Sequence, residues 1–308
     1  MINDPIHFMG IVVLGFLVFA TGVVGVLRLA VPRKDFSEPM LRIRAWWIMA
    51  FVFFAALLSG KKMAVVLFAF MSFWALKEYL TLLKTRREDH RALVWAFLSI
   101  PIQYYWAGIH WYGMFIIFIP VYMFLWLPMR LVLAGETKGF LSSAAEIHWG
   151  IMGFVFGLSH LAYLFGMPPL AETRVNGATF LIFLIFITET SDVFQYVWGK
   201  WLGRHKIIPS VSPNKTWEGF VGGMATVGLL GILLRFLTPF SLIEAFLVAV
   251  GIGIAGFFGG ATMSAIKRDY GVKDFGQLIP GHGGMLDRVD SLCYAAPLFF
   301  HYVYYAHY

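Results

Sequence analysis

The sequence is poor in charge and almost without cysteine. Only 13% of its 308 residues are charged, against about 25% in ordinary soluble domains, which excludes a conventional water-soluble fold. A single cysteine, Cys293, excludes an internal disulfide framework and a cysteine-rich zinc site. Acids are scarce beside bases, 17 against 24. No long polar interval or low-complexity stretch interrupts the chain, which excludes disorder and collagen-like structure. What stands in place of charge is apolar: 59% hydrophobic residues, 18% aromatic, with 31 glycines and 13 prolines. Both of the last are more frequent in membrane helices than in soluble ones. The bilayer is the solvent that suits this composition.

With about 20 apolar residues as the template for one crossing, spans are predicted near residues 6–30, 45–59, 63–83, 92–108, 111–134, 146–165, 177–198, 219–237, 241–264 and 291–306. The 45–59 stretch is short, and with Gly60, Lys61 and Lys62 it either turns tightly into the next span or fails to cross. Nine or ten spans is therefore the expected range. Runs such as Phe180 to Ile187 are apolar throughout and lack the alternation of barrel strands. The predicted class is an all-α integral membrane protein, a polytopic bundle of transmembrane helices forming a single membrane domain over 1–308. Residues 1–7 contain no Lys or Arg, so the first span is expected to persist and not to act as a cleaved signal.

Placing every Lys and Arg sets the expected orientation. With the N-terminus outside, the inner loops collect Arg28, Arg33, Lys34, Arg42, Arg44, Lys84, Arg86, Arg87, Arg91, Arg130, Lys138, Lys200, Arg204, Lys206, Lys215, Lys267, Arg268, Lys273 and Arg288, 19 of the 24 basic residues. The outer loops hold Lys61, Lys62 and Arg174, while Lys77 and Arg235 lie within spans. The stretches 199–218 and 265–290 are thus predicted to be cytoplasmic. The net charge of +7 suits anionic lipid headgroups, although retention of topology explains basic loops as well, and no nucleic-acid partner is expected.

Residues 1–135 read as scaffold, and residues 177–291 hold nearly all the groups capable of chemistry. In the 177–198 span, Thr188, Asp192, Gln195 and Tyr196 share a face by their i, i+4 and i+7/i+8 spacing. An ionisable group inside a membrane helix defaults to a functional hypothesis, the alternative being an interhelical hydrogen-bonding patch. The following loop brings Ser212 and Lys215 to a helix start, where free N–H groups favour phosphate; its bland reading is a cap by Asn214 or Thr216. Gly219-x-x-x-Gly223 and Gly256-x-x-x-Gly260 have the spacing of close helix packing. The richest stretch runs from Ser264 to Asp290. Lys267, Arg268, Lys273 and Arg288 would counter phosphate charge, Gly281, Gly283 and Gly284 would let the backbone approach a ligand, and Asp287 with Asp290 offers oxygen ligands to magnesium. Those are the needs of phosphoryl-type transfer. Taken singly, Lys267 and Arg268 suit a helix C-terminus, Asp287 or Asp290 suits an N-cap, and His282 alone is a poor ligand. Their coincidence favours function.

At this stretch the chain resembles the phosphatidate cytidylyltransferases, also called CDP-diacylglycerol synthases. The matching positions are Ser264-Ala-Ile-Lys267-Arg268, Lys273-Asp274, Pro280-Gly-His-Gly-Gly284 and Asp287-Arg288-Val-Asp290. Upstream, Asp192 with Tyr196, Gly203, and Ser212-Pro-Asn-Lys215-Thr-x-Glu218-Gly219 also look like family features, so the resemblance covers roughly 140–308 and leaves 1–135 as the N-terminal scaffold. It implies an enzyme of phospholipid biosynthesis in a bacterial inner membrane. The reaction joins CTP to phosphatidic acid, giving CDP-diacylglycerol and pyrophosphate, with magnesium and in some members a second, monovalent cation, in a homodimer. Carried over by position, Asp287, Lys267, Arg268 and Asp192 are the expected catalytic residues. Lys215, Ser212, Lys273, Arg288, His282, Gly283 and Gly284 are expected to bind substrate, and Asp287 and Asp290 to bind metal. The chain departs from the family at Gly260 and Met263, where the resemblance implies an Asp and a Glu and places the first of them opposite Asp287. Two readings follow: a working cytidylyltransferase, or a catalytically impaired relative that binds lipid, nucleotide or a partner protein or acts on another lipid phosphate. A transporter, which would gather its ionisable groups at the midplane between repeats, ranks a distant third.

Overall fold

The computed structural model describes residues 5–31, 35–171 and 175–308; Arg33, Lys34 and Arg174, counted above among the loop cations, lie outside it. The helices are α1 (Pro5–Ala30), α2 (Ser37–Leu58), α3 (Lys61–Leu82), α4 (His90–Ile109), α5 (Tyr112–Val132), α6 (Phe140–Phe165), α7 (Gly177–Leu202), α8 (Trp217–Leu233), α9 (Leu242–Asp269), the single turn α10 (Leu286–Val289) and α11 (Leu292–His307). Eight of them, α1 to α7 and α9, are long and apolar enough to cross a bilayer. The 17-residue α8 and 16-residue α11 occupy the other two predicted spans. The protein is a polytopic all-α membrane bundle.

Several boundaries differ from the sequence expectation, each for a physical reason. The short span 45–59 is a full 22-residue helix, α2, whose first turns carry the exposed pair Glu38–Arg42 at 2.5 Å; long basic side chains let a helix continue past the hydrocarbon while their stems stay on it. Gly60, at φ 95°, then makes the tight turn into α3. α9 runs five residues past its predicted end and carries Ser264, Lys267 and Arg268 on helix, so the irregular part of the signature is only 270–285. The loop before α8 likewise shortens to 203–216. It is tied by Trp217 N to His205 O at 2.9 Å and capped by Thr216, whose Oγ1 accepts from Gly219 N at 3.1 Å.

Side-chain packing holds these helices together, since lipid offers no hydrophobic drive between them. α6 is the hub: it packs on α3 and α4 on one side and on α7 and α11 on the other. Phe154 of α6, Phe180 and Phe183 of α7 and Phe300 of α11 are fully buried. α7, α8, α9 and α11 form a second tight group. α8 approaches α7 at glycine, where a Cβ on Gly219 would lie 2.6 Å from Gln195 O, so the first small-residue spacing is a packing feature. The second is not: a Cβ at Gly256 or Gly260 would meet nothing nearer than 3.5 Å.

Candidate active site

α7, the loop before α8, α9 and the 286–291 corner bring the chemistry-bearing side chains together, Asp287 buried, Lys215, Lys267 and Asp290 half-buried and Asp192 exposed. Asp192 is ten residues before the end of α7, a depth of about 15 Å along the helix. Two linked groups form there.

The first group centres on Asp287, which is buried. Its Oδ1 accepts from Lys267 Nζ at 2.9 Å, and its Oδ2 accepts from the backbone N–H of Phe275 at 2.9 Å and of Gly284 at 3.0 Å. The carboxylate thus ties the end of α9 to the turn before α10, a stronger bond than a neutral one because the donor is charged. Glu78 of α3 completes the corner, its Oε1 accepting from Met285 N at 2.9 Å and its Oε2 from Leu286 N at 2.8 Å. Trp46 of α2 stands edge-on to His282 at 6.0 Å. Burial, together with Arg288 and Arg42, lowers the His282 pKa and keeps the ring neutral near pH 7.

Ser291 joins the second group. Its Oγ donates to Asp192 Oδ2 at 2.8 Å, and its N–H donates to Asp290 Oδ1 at 2.7 Å. Lys215 enters from the loop before α8, donating to Phe257 O at 3.3 Å with its ammonium 4.2 Å from the Phe257 ring centroid. Among the described residues no carboxylate lies within ion-pair distance of it. Burial lowers its pKa against the pull of Asp192 and Asp290. Burial pushes the Asp290 carboxyl up to about 6, with the charge of Asp192 adding, while Lys267 and Arg288 pull it down. Gly260 sits at the heart of this group: a Cβ there would lie 3.5 Å from Ser291 Oγ, 3.6 Å from Lys215 Nζ and 3.7 Å from Asp290 Oδ2. Its nearest side chains are therefore these three, not Asp287 as the resemblance implies. Met263, the other departure, is fully buried in the core.

Of the predicted site residues, Asp192, Lys215, Lys267, Asp287, Asp290, Gly283 and Gly284 come together. Arg288 is half-buried, with its Nε buried and without a hydrogen-bond partner among the described residues. Arg268 and Lys273 are exposed. Ser212 is half-buried; its carbonyl accepts from Lys215 N at 3.3 Å, and no side-chain hydrogen bond joins it to the cluster. The sequence reading missed Ser291 and Glu78. Ser291 left no signal, being one hydroxyl beside an acid. Glu78 did: it is an acid in the apolar run of α3, the kind of residue that defaults to a functional role in a membrane helix.

Among the described residues no group of three or more His, Cys, Asp and Glu side chains converges as a metal cage. Magnesium needs less, one or two carboxylates with water and substrate phosphates filling the rest of its octahedron. Asp192 and Asp290, bridged by Ser291 with one oxygen each outside those hydrogen bonds, fit that requirement. Asp287, the other expected ligand, accepts one hydrogen bond on Oδ1 and two on Oδ2, so of its roughly four acceptor sites fewer remain open than on either of these.

A family model described as the cytidylyltransferase family matches residues 40–306. The chain is similar to YnbB of Escherichia coli (strain K12), an uncharacterized protein, with 42% identity over 294 residues covering 95% of this chain and 96% of that one. It is similar to the phosphatidate cytidylyltransferase of Staphylococcus saprophyticus, 31% identical over 259 residues, 80% of this chain and 92% of the relative. The phosphatidate cytidylyltransferase of Staphylococcus aureus (strain COL) is 29% identical over 254 residues, with the same two coverages.

Proposed function

The chain belongs to the cytidylyltransferase family, and on that premise we propose that it transfers CMP from CTP to phosphatidic acid. An oxygen of the lipid phosphate attacks the α-phosphorus of CTP, the bond to the β-phosphate breaks, and pyrophosphate leaves with its electron pair. The products are CDP-diacylglycerol and pyrophosphate. A phosphomonoester has its second pKa near 6 and is largely dianionic at neutral pH, so no protein nucleophile is required.

One observation carries this reading: the cations and carboxylates of the signature gather with Asp192 of α7 and Lys215 of the 203–216 loop into two linked groups along one face of α9. Asp192 is exposed, which leaves that end of the cluster open to an incoming substrate phosphate. Lys215 and Arg288, which have no carboxylate partner among the described residues, offset phosphate charge, and such preset charges act strongly where water is excluded. Lys267, held by Asp287, keeps the end of α9 against the Gly283 and Gly284 backbone. Asp192 and Asp290 would hold magnesium, which when bound neutralises phosphate charge and aligns the two substrates. The 203–216 and 270–285 segments face the cytoplasm, where CTP is available, in a bacterial inner membrane, and the protein works as a homodimer.

The test is CTP-dependent formation of CDP-diacylglycerol and pyrophosphate by the purified protein in detergent with phosphatidate, with and without magnesium. Gly260 and Met263 favour a second reading, a relative that binds nucleotide and lipid without turnover. Saturable CTP binding with no pyrophosphate release under any metal would select it.

A further inference from the structure

Glu78 is buried, 7% exposed, and among the described residues it has no ion-pair partner. The adjacent Lys77 turns away and lies 4.2 Å from the Trp74 ring centroid. Burying a carboxylate without a cation is costly unless hydrogen bonds hold it. Asp89 and Asp287, about as little exposed, each have a cation, Arg86 and Lys267. Glu78 has instead two consecutive backbone N–H groups, Met285 and Leu286, more than 200 positions along the chain. The third amide in that row, Gly284 N, belongs to Asp287.

The surroundings are shaped for this contact. A Cβ on Gly276 would lie 2.7 Å from Glu78 Oε1, and one on Gly284 would collide with Glu78 Oε2. Any side chain at either place would push the carboxylate off the amides. Glu78 lies four residues before the end of α3, and α3 packs on the hub helix α6, so the turn is anchored to a rigid element of the N-terminal half.

We propose that Glu78 is a positioning residue: a latch by which α3 holds the 284–286 turn in place, and through it the Asp287–Lys267 pair, in the conformation that binds nucleotide. It touches no substrate. It sets the fraction of molecules in the competent conformation, and apparent affinity falls in proportion to that fraction. The inference rests on nucleotide binding as proposed above.

The experiment compares the parent, Glu78→Ala and Glu78→Gln in detergent. Backbone hydrogen exchange across 275–290 reads the latch directly and needs no activity. Glu78→Ala is expected to speed exchange at 284–286 at least about tenfold, the loss of charge-assisted hydrogen bonds, and to raise the KM for CTP by a similar factor. The kcat at saturating CTP and the KM for phosphatidate are expected to stay within about twofold, a margin of roughly 0.4 kcal/mol. Glu78→Gln keeps the shape and one accepting oxygen and should fall between. A residue that only supports folding would lower the amount of active protein, and hence kcat, with the KM for CTP unchanged; that result overturns the proposal, as does parent-like exchange in Glu78→Ala. If the parent has no turnover, the proposed reaction is wrong, and the exchange experiment still decides the latch.

Discussion

The sharpest perturbation of the site is Gly260→Asp. Sterically the position is open, since an added Cβ meets only ordinary contacts of 3.5 Å to 3.7 Å, and within helix α9 any residue but proline is intrinsically at least as favourable as glycine. Electrostatically the new carboxylate has two near neighbours of opposite effect, the Lys215 ammonium and the Asp290 carboxylate. A pair of unit charges about 4 Å apart interacts by roughly 4 kcal/mol at an effective dielectric of about 20. Attraction and repulsion therefore nearly offset one another while no metal is present. A divalent ion between the new carboxylate and Asp290 breaks that balance, because both acids then attract it. If even about a third of one such term survives solvent and Lys215, the gain is about 1.4 kcal/mol, or tenfold in affinity.

The expected outcome is that Gly260→Asp binds Mn²⁺ at least about tenfold more tightly than the parent without nucleotide, read by the loss of free-ion paramagnetic signal in a titration. Turnover of CTP should rise with it. Unchanged Mn²⁺ affinity in a variant with the parent's melting temperature would refute the placement of the metal at Asp290, beside position 260. The companion change Met263→Glu is a poor test. Met263 is fully buried, and a lone charge there costs several kcal/mol, so the double variant is expected to lose its fold before it reports on the metal.

Asp287→Asn removes the counter-charge of Lys267, and breaking such a buried pair from one side costs about 3–5 kcal/mol; a lowered melting temperature with turnover lost is expected, and parent-like values in both would dismiss the ion pair as an organiser of the site. Asp290, with its carboxyl at about 6, binds a proton below that pH in competition with a metal. Mn²⁺ affinity should therefore fall as pH drops through about 6, the more strongly the lower the pH, and Asp290→Asn should abolish the step; a pH-independent parent would refute it. Single cysteines in place of Lys206 and Lys273, both exposed, should react with an impermeant thiol reagent only once the cytoplasmic side is opened. The native Cys293 is buried and gives little background, and labelling from outside in intact cells would reverse the assigned orientation.

The positions of the helices were legible because hydropathy marks the part of a helix in lipid. Their ends were not. α2 begins eight residues before its apolar stretch because Glu38, Arg42 and Arg44 are compatible with a helix that emerges from the hydrocarbon, and α9 overshoots through Ser264 to Asp269 in the same way. Within the signature, the nearness of Lys267, Asp287, Asp290 and Asp192 was expected from a shared site, with Asp287 and Asp290 as the pair holding metal. The partners of each were not, since hydrogen bonds from Phe275 N and Gly284 N to Asp287 depend on how the 270–285 segment folds back. The contact of Glu78 with Met285 and Leu286 crosses two thirds of the chain and leaves no periodic trace. A membrane-embedded acid announces that it has a partner without saying which one. Reading residues 1–135 as scaffold therefore understated them: Arg42 and Trp46 of α2 and Glu78 of α3 all reach the 276–286 segment.

The different states of the two signature acids follow from how the 287–291 corner lies along α9. Gly260, Ser264 and Lys267 are spaced i, i+4 and i+7 and share one face of that helix, with Ser264 Oγ turned back onto Gly260 O at 2.7 Å. Asp287 and Asp290 meet this face at different levels, Asp287 against Lys267 and Asp290 beside Gly260. At the first level the helix supplies its own cation, and with two backbone N–H groups the Asp287 carboxylate has three donors. At the second the helix supplies no side chain at all, and the nearest cation, Lys215, is turned to a carbonyl and an aromatic ring. An incoming positive charge gains little by displacing Lys267, because the two amide hydrogen bonds that hold Asp287 would be strained as well. It gains more beside Asp290, whose charge burial and Asp192 disfavour and which takes only the Ser291 N–H on one oxygen. The same asymmetry orders the variants: Asp287→Asn should be felt first in stability, and Asp290→Asn first in metal affinity.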